Sequence, residues 1–215
     1  MSSKHLLQRL VVVAFKAVTF VLARVEIEGL DHVPRDGALI VASNHVGHLD
    51  PLLTVAYMPR PVRFLALSDL FALAHAVHLL RLFDAIPVNR DQQDKRALIE
   101  SLKTLRQGQA IGLFPEGRMS VTGSLEPART GTAYLARATG AAVLPIGFSG
   151  TEHFLPNLRR LRRTPVRMKI GRPIHLEPSA GLGNAEDLQL GTTHLMKAIA
   201  ALLPVSYRGP YQASD

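Results

Sequence analysis

The chain has 215 residues, enough for one well-buried domain and few for two. Hydrophobic residues make up 47%, which excludes disorder over most of the length, and the absence of Cys excludes a disulfide scaffold, a Cys-ligated zinc site and a thiol nucleophile. Lys and Arg number 25 against 17 Asp and Glu, a formal charge of +8 that implies an anionic partner: nucleic acid, an anionic membrane surface or a phosphorylated small molecule.

From Leu10 to Ala23 the chain is apolar except for Lys16 and Thr19. A spanning helix needs about 20 apolar residues, so this run is short, and a charge sits in its middle. The same lysine interrupts a signal-peptide pattern, and Ala23-Arg24-Val25 is not a small-x-small cleavage site. At about 100° per residue, His5, Arg9 and Lys16 fall within roughly 40° of one another, with Leu7, Leu10, Ala14, Val18 and Val21 on the far side. Residues 1–24 are therefore expected to form an amphipathic helix lying on or partly inserted in a membrane, with Lys4, Arg9 and Lys16 facing anionic headgroups. Packing of the apolar face on the domain core is the alternative.

Residues 25–215 read as one further domain without repeats or linkers. Strands are expected at 25–27 and 38–42, the second ending in Ser43-Asn44-His45. A helix follows from about Leu49, with Asp50 and Pro51 in its first turn, where carboxylate and proline are both favoured. Further strands are expected at 62–67, 85–88, 110–114, 142–148 and 166–170. Helices are expected at 70–82, 92–107 (closed by Gly108), 130–139 and 186–203. This alternation predicts an α/β fold: a mixed, largely parallel central sheet flanked by helices, preceded by the N-terminal amphipathic helix. Functional residues in such sheets gather on loops at strand ends, and His45 and Glu116 both follow strand runs.

His45 and Asp50 form the first candidate pair. Residues five apart on a helix point about 140° apart, so the two meet only if His45 lies on the turn before the helix and folds back over Asp50. Gly47 makes such a turn easy. An Asp accepting from Nδ1 leaves Nε2 as a general base. Two rival chemistries fit poorly. A metallo-hydrolase H-x-H-x-D-H motif would require histidines at Val46 and Pro51. A nucleophile elbow would require a glycine at Thr151. Downstream, Pro115-Glu116-Gly117 makes a tight turn followed by Arg118 and Ser120, and Arg90 follows another short strand. Two arginines on neighbouring loops can grip a phosphate.

The segments NHVGHLD (44–50), IPVNR (86–90), LFPEGRMS (113–120) and VLPIGFSGTE (143–152) resemble, in order and spacing, the four motif blocks of glycerolipid acyltransferases of the 1-acyl-glycerol-3-phosphate type. VRMKIGRPI (166–174) is similar to the family's last core strand. The string from Glu116 to Leu125 is more similar to the acyltransferase domain of 2-acyl-glycerophosphoethanolamine acyltransferases. The resemblance implies direct acyl transfer from acyl-CoA or acyl-carrier protein to a hydroxyl of a lysophospholipid, most simply 1-acyl-glycerol-3-phosphate. His45 would be the general base, oriented by Asp50. Arg90, Glu116, Gly117, Arg118 and Ser120 would form the phosphate site. Asn44 would support the His turn or the oxyanion site, and Pro145 with Ile146 would shape the acyl-chain side. It implies no metal or cofactor, because a thioester is already activated.

Arg159, Arg160, Arg162 and Arg163 form the densest basic run. With 6% aromatic residues, no Trp and no recognised motif, nucleic acid is a poor partner. Anionic lipid headgroups suit the run better, and an acidic carrier protein is the other candidate. The expected location is the cytoplasmic face of a membrane, in a peripheral or monotopic arrangement.

Overall fold

A computed structural model describes residues 3–89, 94–177 and 183–212. The chain opens with helix α1 (Ser3–Leu22) and continues through β1 (Ala23–Glu28), β2 (Leu39–Ser43), α2 (Asp50–Tyr57), β3 (Val62–Leu67), α3 (Ala74–Leu82) and β4 (Ile86–Val88). It then forms α4 (Lys95–Arg106), β5 (Ala110–Leu113), α5 (Gly131–Thr139), β6 (Ala142–Ser149), α6 (Phe154–Arg159), β7 (Thr164–Ile170) and α7 (Asn184–Ala201). The strands make one sheet in the order β1-β7-β6-β2-β5-β3-β4. Every pairing is parallel except β6 with β7. The expected mixed, largely parallel α/β architecture is present.

Central strands buried on both sides explain the unbroken apolar runs that marked them in the sequence. β2 shows the layering. Ile40 and Ala42 face a core shared with α4, α5 and α7, whereas Leu39 and Val41 face one closed by Leu53 of α2 and Phe15 of α1. β6, β2, β5, β3 and β4 run parallel, so their C-terminal ends lie along one edge of the sheet. All four motif blocks leave the sheet there.

The structure departs from the sequence expectations in local ways. The segment 70–82 is divided: a 3-10 turn at Ser68–Ala72 is separated from α3 by Leu73, which is extended at φ −82°, ψ 117°. α4 starts where Asp94 caps it, accepting from the N–H groups of Arg96 and Ala97 at 3.0 Å each. α6 was not expected, being short and carrying Pro156.

The N-terminal helix is turned over relative to an ordinary surface helix. Leu6, Leu7, Leu10, Val13, Val18, Phe20 and Val21 are all exposed. The side that meets the domain carries Lys4, Gln8, Lys16 and Thr19 together with Val11 and Phe15. Lys4 pairs with Asp84 at 2.6 Å, Gln8 donates to the Leu82 carbonyl, and the Lys16 ammonium lies 4.6 Å from the Tyr57 ring centroid. Thr19 is buried, with its hydroxyl returned to the Phe15 carbonyl. Lys4 and Lys16 therefore depart from their expected headgroup-facing role, because acidic and aromatic groups of the domain hold them. Arg163 departs likewise: its guanidinium donates to the Phe20 and Ala23 carbonyls at the C-terminal end of α1, where cations are favoured. Arg159, Arg160 and Arg162 remain exposed beside it.

β6 reaches the site through Gly150, which holds φ +91° where an added Cβ would lie 2.2 Å from the Pro165 carbonyl oxygen. Gly150→Ala combines a left-handed backbone with that overlap. It is expected to lower stability by about 2–4 kcal/mol, measured as a shift of the urea midpoint.

Candidate active site

β2 ends in a buried polar corner. The Asn44 amide pairs with the Phe148 backbone in both directions: Nδ2 donates to the carbonyl at 2.9 Å, and Oδ1 accepts the N–H at 2.7 Å. This side chain stitches β2 to β6. It is spent on the backbone, so its place is under the His turn and not at an oxyanion.

The chain then turns sharply around the Asp50 carboxylate. Oδ2 accepts from His45 Nδ1 at 2.9 Å and from the N–H groups of Val46 and Gly47 at 2.8 Å each. Oδ1 accepts the Thr151 hydroxyl at 2.5 Å. Asp50 is fully buried at the first turn of α2, and charge-assisted bonds from these donors offset the loss of water. With Nδ1 donating, His45 keeps Nε2 as its proton acceptor. The ring also stacks on Phe114, with centroids 3.9 Å apart and planes 12° apart. Gly47 earns its position by proximity more than by turn geometry. An added Cβ would lie 2.7 Å from both the Thr151 carbonyl carbon and Oγ1.

The Phe114–Ser120 turn lies against the His turn from β5. Ser120 N–H donates to the His45 carbonyl at 2.7 Å, and Glu116 Oε1 accepts His45 N–H at 3.4 Å. Glu116 Oε2 accepts the Glu126 N–H at 3.1 Å, so both carboxylate oxygens serve backbone groups. Burial pushes the Glu116 carboxyl up to about 7 against those hydrogen bonds. Glu126 is held below the usual carboxylate range by the Val121 N–H and by Arg118, which donates from Nε and Nη2 at 2.9 and 2.6 Å. Arg118 remains half exposed. Gly117, at φ +71°, packs against the Arg129 guanidinium.

A cavity of about 910 Å³ opens from this corner. It runs from His45, Phe114 and Arg118 out to Val18 of α1, Leu80 of α3 and Leu98 of α4. One end is therefore polar and basic and the remainder aliphatic, a shape suited to a ligand with an anionic head and an apolar tail.

The structure brings His45, Gly117 and Arg118 together at this polar end, with Asp50 and Glu116 buried behind them. Arg90 lies outside the described residues, although Asn89 lines the same cavity. Two expectations change. The Ser120 hydroxyl is taken by the Ser124 carbonyl at 2.6 Å, so Ser120 serves the turn and not a ligand. Pro145 is buried in β6 opposite Ala42, and neither it nor Ile146 is among the cavity-lining residues, which places both in the sheet instead of the acyl-chain side. Thr151, Phe114 and Arg129 were not singled out from the sequence. Thr151 and Phe114 lie inside motif blocks, but no spacing shows a hydroxyl 101 residues from its acceptor.

The Glu116 acid gives a pH test. Its pKa of about 7, against an ordinary 4.5, makes the folded state hold a proton that the unfolded chain releases across that window. Wild-type stability is expected to fall as pH rises through this window, relative to Glu116→Gln, in urea titrations at pH 5 and 8.

A family model described as Acyltransferase matches residues 24–149. A 1-acyl-sn-glycerol-3-phosphate acyltransferase of Bacillus subtilis is 24% identical over 190 residues, covering 88% of this chain and 93% of that protein. The chloroplastic enzyme LPAT1 of Arabidopsis thaliana is 30% identical over 159 residues, covering 71% of this chain and 44% of its own length. A relative from Borreliella burgdorferi is likewise covered over only 53%. The crystal structure of the LPA acyltransferase PlsC from Thermotoga maritima shares the fold with a TM-score of 0.71 at 24% identity, over 94% of this chain and 82% of that one. The chain belongs to the acyltransferase family and is an O-acyltransferase.

Proposed function

We propose that this protein transfers a fatty acyl group from a thioester donor, acyl-CoA or acyl-carrier protein, to a hydroxyl of a lysophospholipid. The favoured acceptor is 1-acyl-glycerol-3-phosphate, giving phosphatidic acid, the activity for which the curated relatives are named. The observation that carries the reading is His45, braced on a buried Asp50 and lining the polar end of an otherwise aliphatic cavity.

In the proposed reaction His45 Nε2 removes the proton from the acceptor hydroxyl as its oxygen attacks the thioester carbonyl. Asp50 stabilises the imidazolium that forms. The tetrahedral intermediate collapses by breaking the carbon–sulfur bond, and the departing thiolate takes the proton from His45. No acyl-enzyme is formed. Arg118, with Arg129 beside Gly117, holds the headgroup phosphate, and the family resemblance adds Arg90 to that role. The Glu116–Leu125 string favours a second acceptor, a lysophosphatidylethanolamine, within the same chemistry.

The membrane reading rests on α1. Its 20 residues are long and apolar enough to cross a bilayer, yet one side packs on β1 and α2, which suits a helix lying along the surface. Each exposed Leu, Val or Phe moved from water into lipid contributes about 1.5–3 kcal/mol. Arg159, Arg160 and Arg162 add about 1 kcal/mol each near anionic headgroups. The protein would then be monotopic, on the cytoplasmic face.

His45→Ala is expected to lower kcat by about 10²–10⁴-fold in an assay pairing either donor with a panel of lysophospholipids, with folding retained. An active variant would remove His45 from the chemistry. Residues 25–215 alone should sediment with anionic liposomes far less than the full chain, keeping only the contribution of Arg159, Arg160 and Arg162. Undiminished sedimentation would assign membrane binding elsewhere.

A further inference from the structure

The C-terminal turns reach the site from outside the segment matched by the family model, which ends at residue 149. After α7 the chain makes two 3-10 turns, Val205–Tyr207 and Gly209–Tyr211. The Tyr207 hydroxyl donates to Glu152 Oε1, on the residue directly after Thr151. The other oxygen of Glu152 is buried with no hydrogen-bond partner among the described residues, and Oε1 is shared between Tyr207 and the exposed His153, whose Nε2 lies 3.3 Å away. The Tyr207 carbonyl accepts Leu125 N–H at 2.8 Å, and the Tyr211 hydroxyl accepts Ala128 N–H at 3.3 Å. Both donors sit on the loop that carries Glu126, the partner of Arg118. Gly209 fits tightly against this loop, since an added Cβ would lie 2.0 Å from the Leu125 carbonyl oxygen.

One short segment thus holds two loops that are not neighbours in sequence. One loop carries Thr151, which donates to the carboxylate that orients His45, and the other carries Glu126, which holds Arg118. We propose that residues 205–211 form a strap that fixes the spacing between the general base and the headgroup anchor, with Tyr207 and Glu152 as positioning residues. The proposal rests on the general-base role of His45 argued above. Tyr207 also packs against both hydrophobic cores, so its ring anchors the strap while its hydroxyl and carbonyl reach the two loops. Burial and the Glu152 carboxylate push the phenol up to about 12.

The test compares Tyr207→Phe, which removes only the hydroxyl, with Thr192→Val, which removes a buried hydroxyl bonded to Leu188 in α7. Tyr207→Phe is expected to lower kcat about 10–100-fold and raise KM for the lysophospholipid, leaving KM for the acyl donor unchanged. Glu152→Ala should reproduce this, and Glu152→Gln, whose amide oxygen still accepts, should restore most of it. Thr192→Val should keep wild-type kinetics at a comparable urea midpoint. Amide exchange supplies a readout free of activity: in Tyr207→Phe, Leu125, Val46 and Gly47 should exchange faster while β2 and β5 amides do not. Should the wild type transfer to no acceptor, the proposed function fails and exchange alone decides the strap. Unchanged exchange at those amides overturns the strap, as do wild-type kinetics in Tyr207→Phe or equal losses in Thr192→Val.

Discussion

The site depends on one buried carboxylate. Asp50 gathers the His45 ring, two backbone N–H groups of its own turn and the Thr151 hydroxyl from just beyond the neighbouring strand β6. A fully buried anion with donors removed would be costly, so each donor is a constraint as well as a stabiliser. The carboxylate fixes the histidine rotamer, the path of the turn and the approach of the strand that delivers Thr151. The close fit of Gly47 against Thr151 is a consequence of the same convergence.

A second carboxylate does comparable work one loop away. Glu116 bridges the backbone N–H of His45 to that of Glu126, and Glu126 in turn holds Arg118. His45 and Arg118 are thereby linked through alternating acids and amides, without direct contact between them. Glu116 thus serves backbone groups of the His45 turn and the Glu126 loop with both of its oxygens. Its value lies in keeping a flexible, half-exposed arginine on a rigid loop.

Much of this was readable from the sequence, for physical reasons. Central parallel strands are apolar on both faces, so β2, β5 and β6 announce themselves, and the five-residue gap between His45 and Asp50 permits contact only through a turn. What escaped was long-range or directional. Thr151, Glu152 and Tyr207 meet their partners only after the sheet has formed. The apolar stripe of α1 is legible on a helical wheel, but the side that meets the domain is mixed, with Val11 and Phe15 beside Lys16 and Thr19, and a wheel does not show it. A charge pattern likewise carries no information about Asp84, Tyr57 or the carbonyls at the end of α1, which engage Lys4, Lys16 and Arg163. Ser120 and Pro145 show the same limit at shorter range: a residue inside a motif block can serve the backbone that the motif is built on.

The inverted helix has a consequence for traffic. α1 lines the cavity with Val11 and Phe15 while Leu10, Val13 and Val21 point outward, so a single helix, about 10 Å thick, separates the aliphatic chamber from whatever covers that outer face. If that cover is lipid, an acceptor tail and a two-tailed product exchange sideways, within one leaflet, and their hydrocarbon never crosses water. Encounter then becomes a two-dimensional search, and turnover responds to the mole fraction of acceptor in the leaflet instead of its bulk concentration.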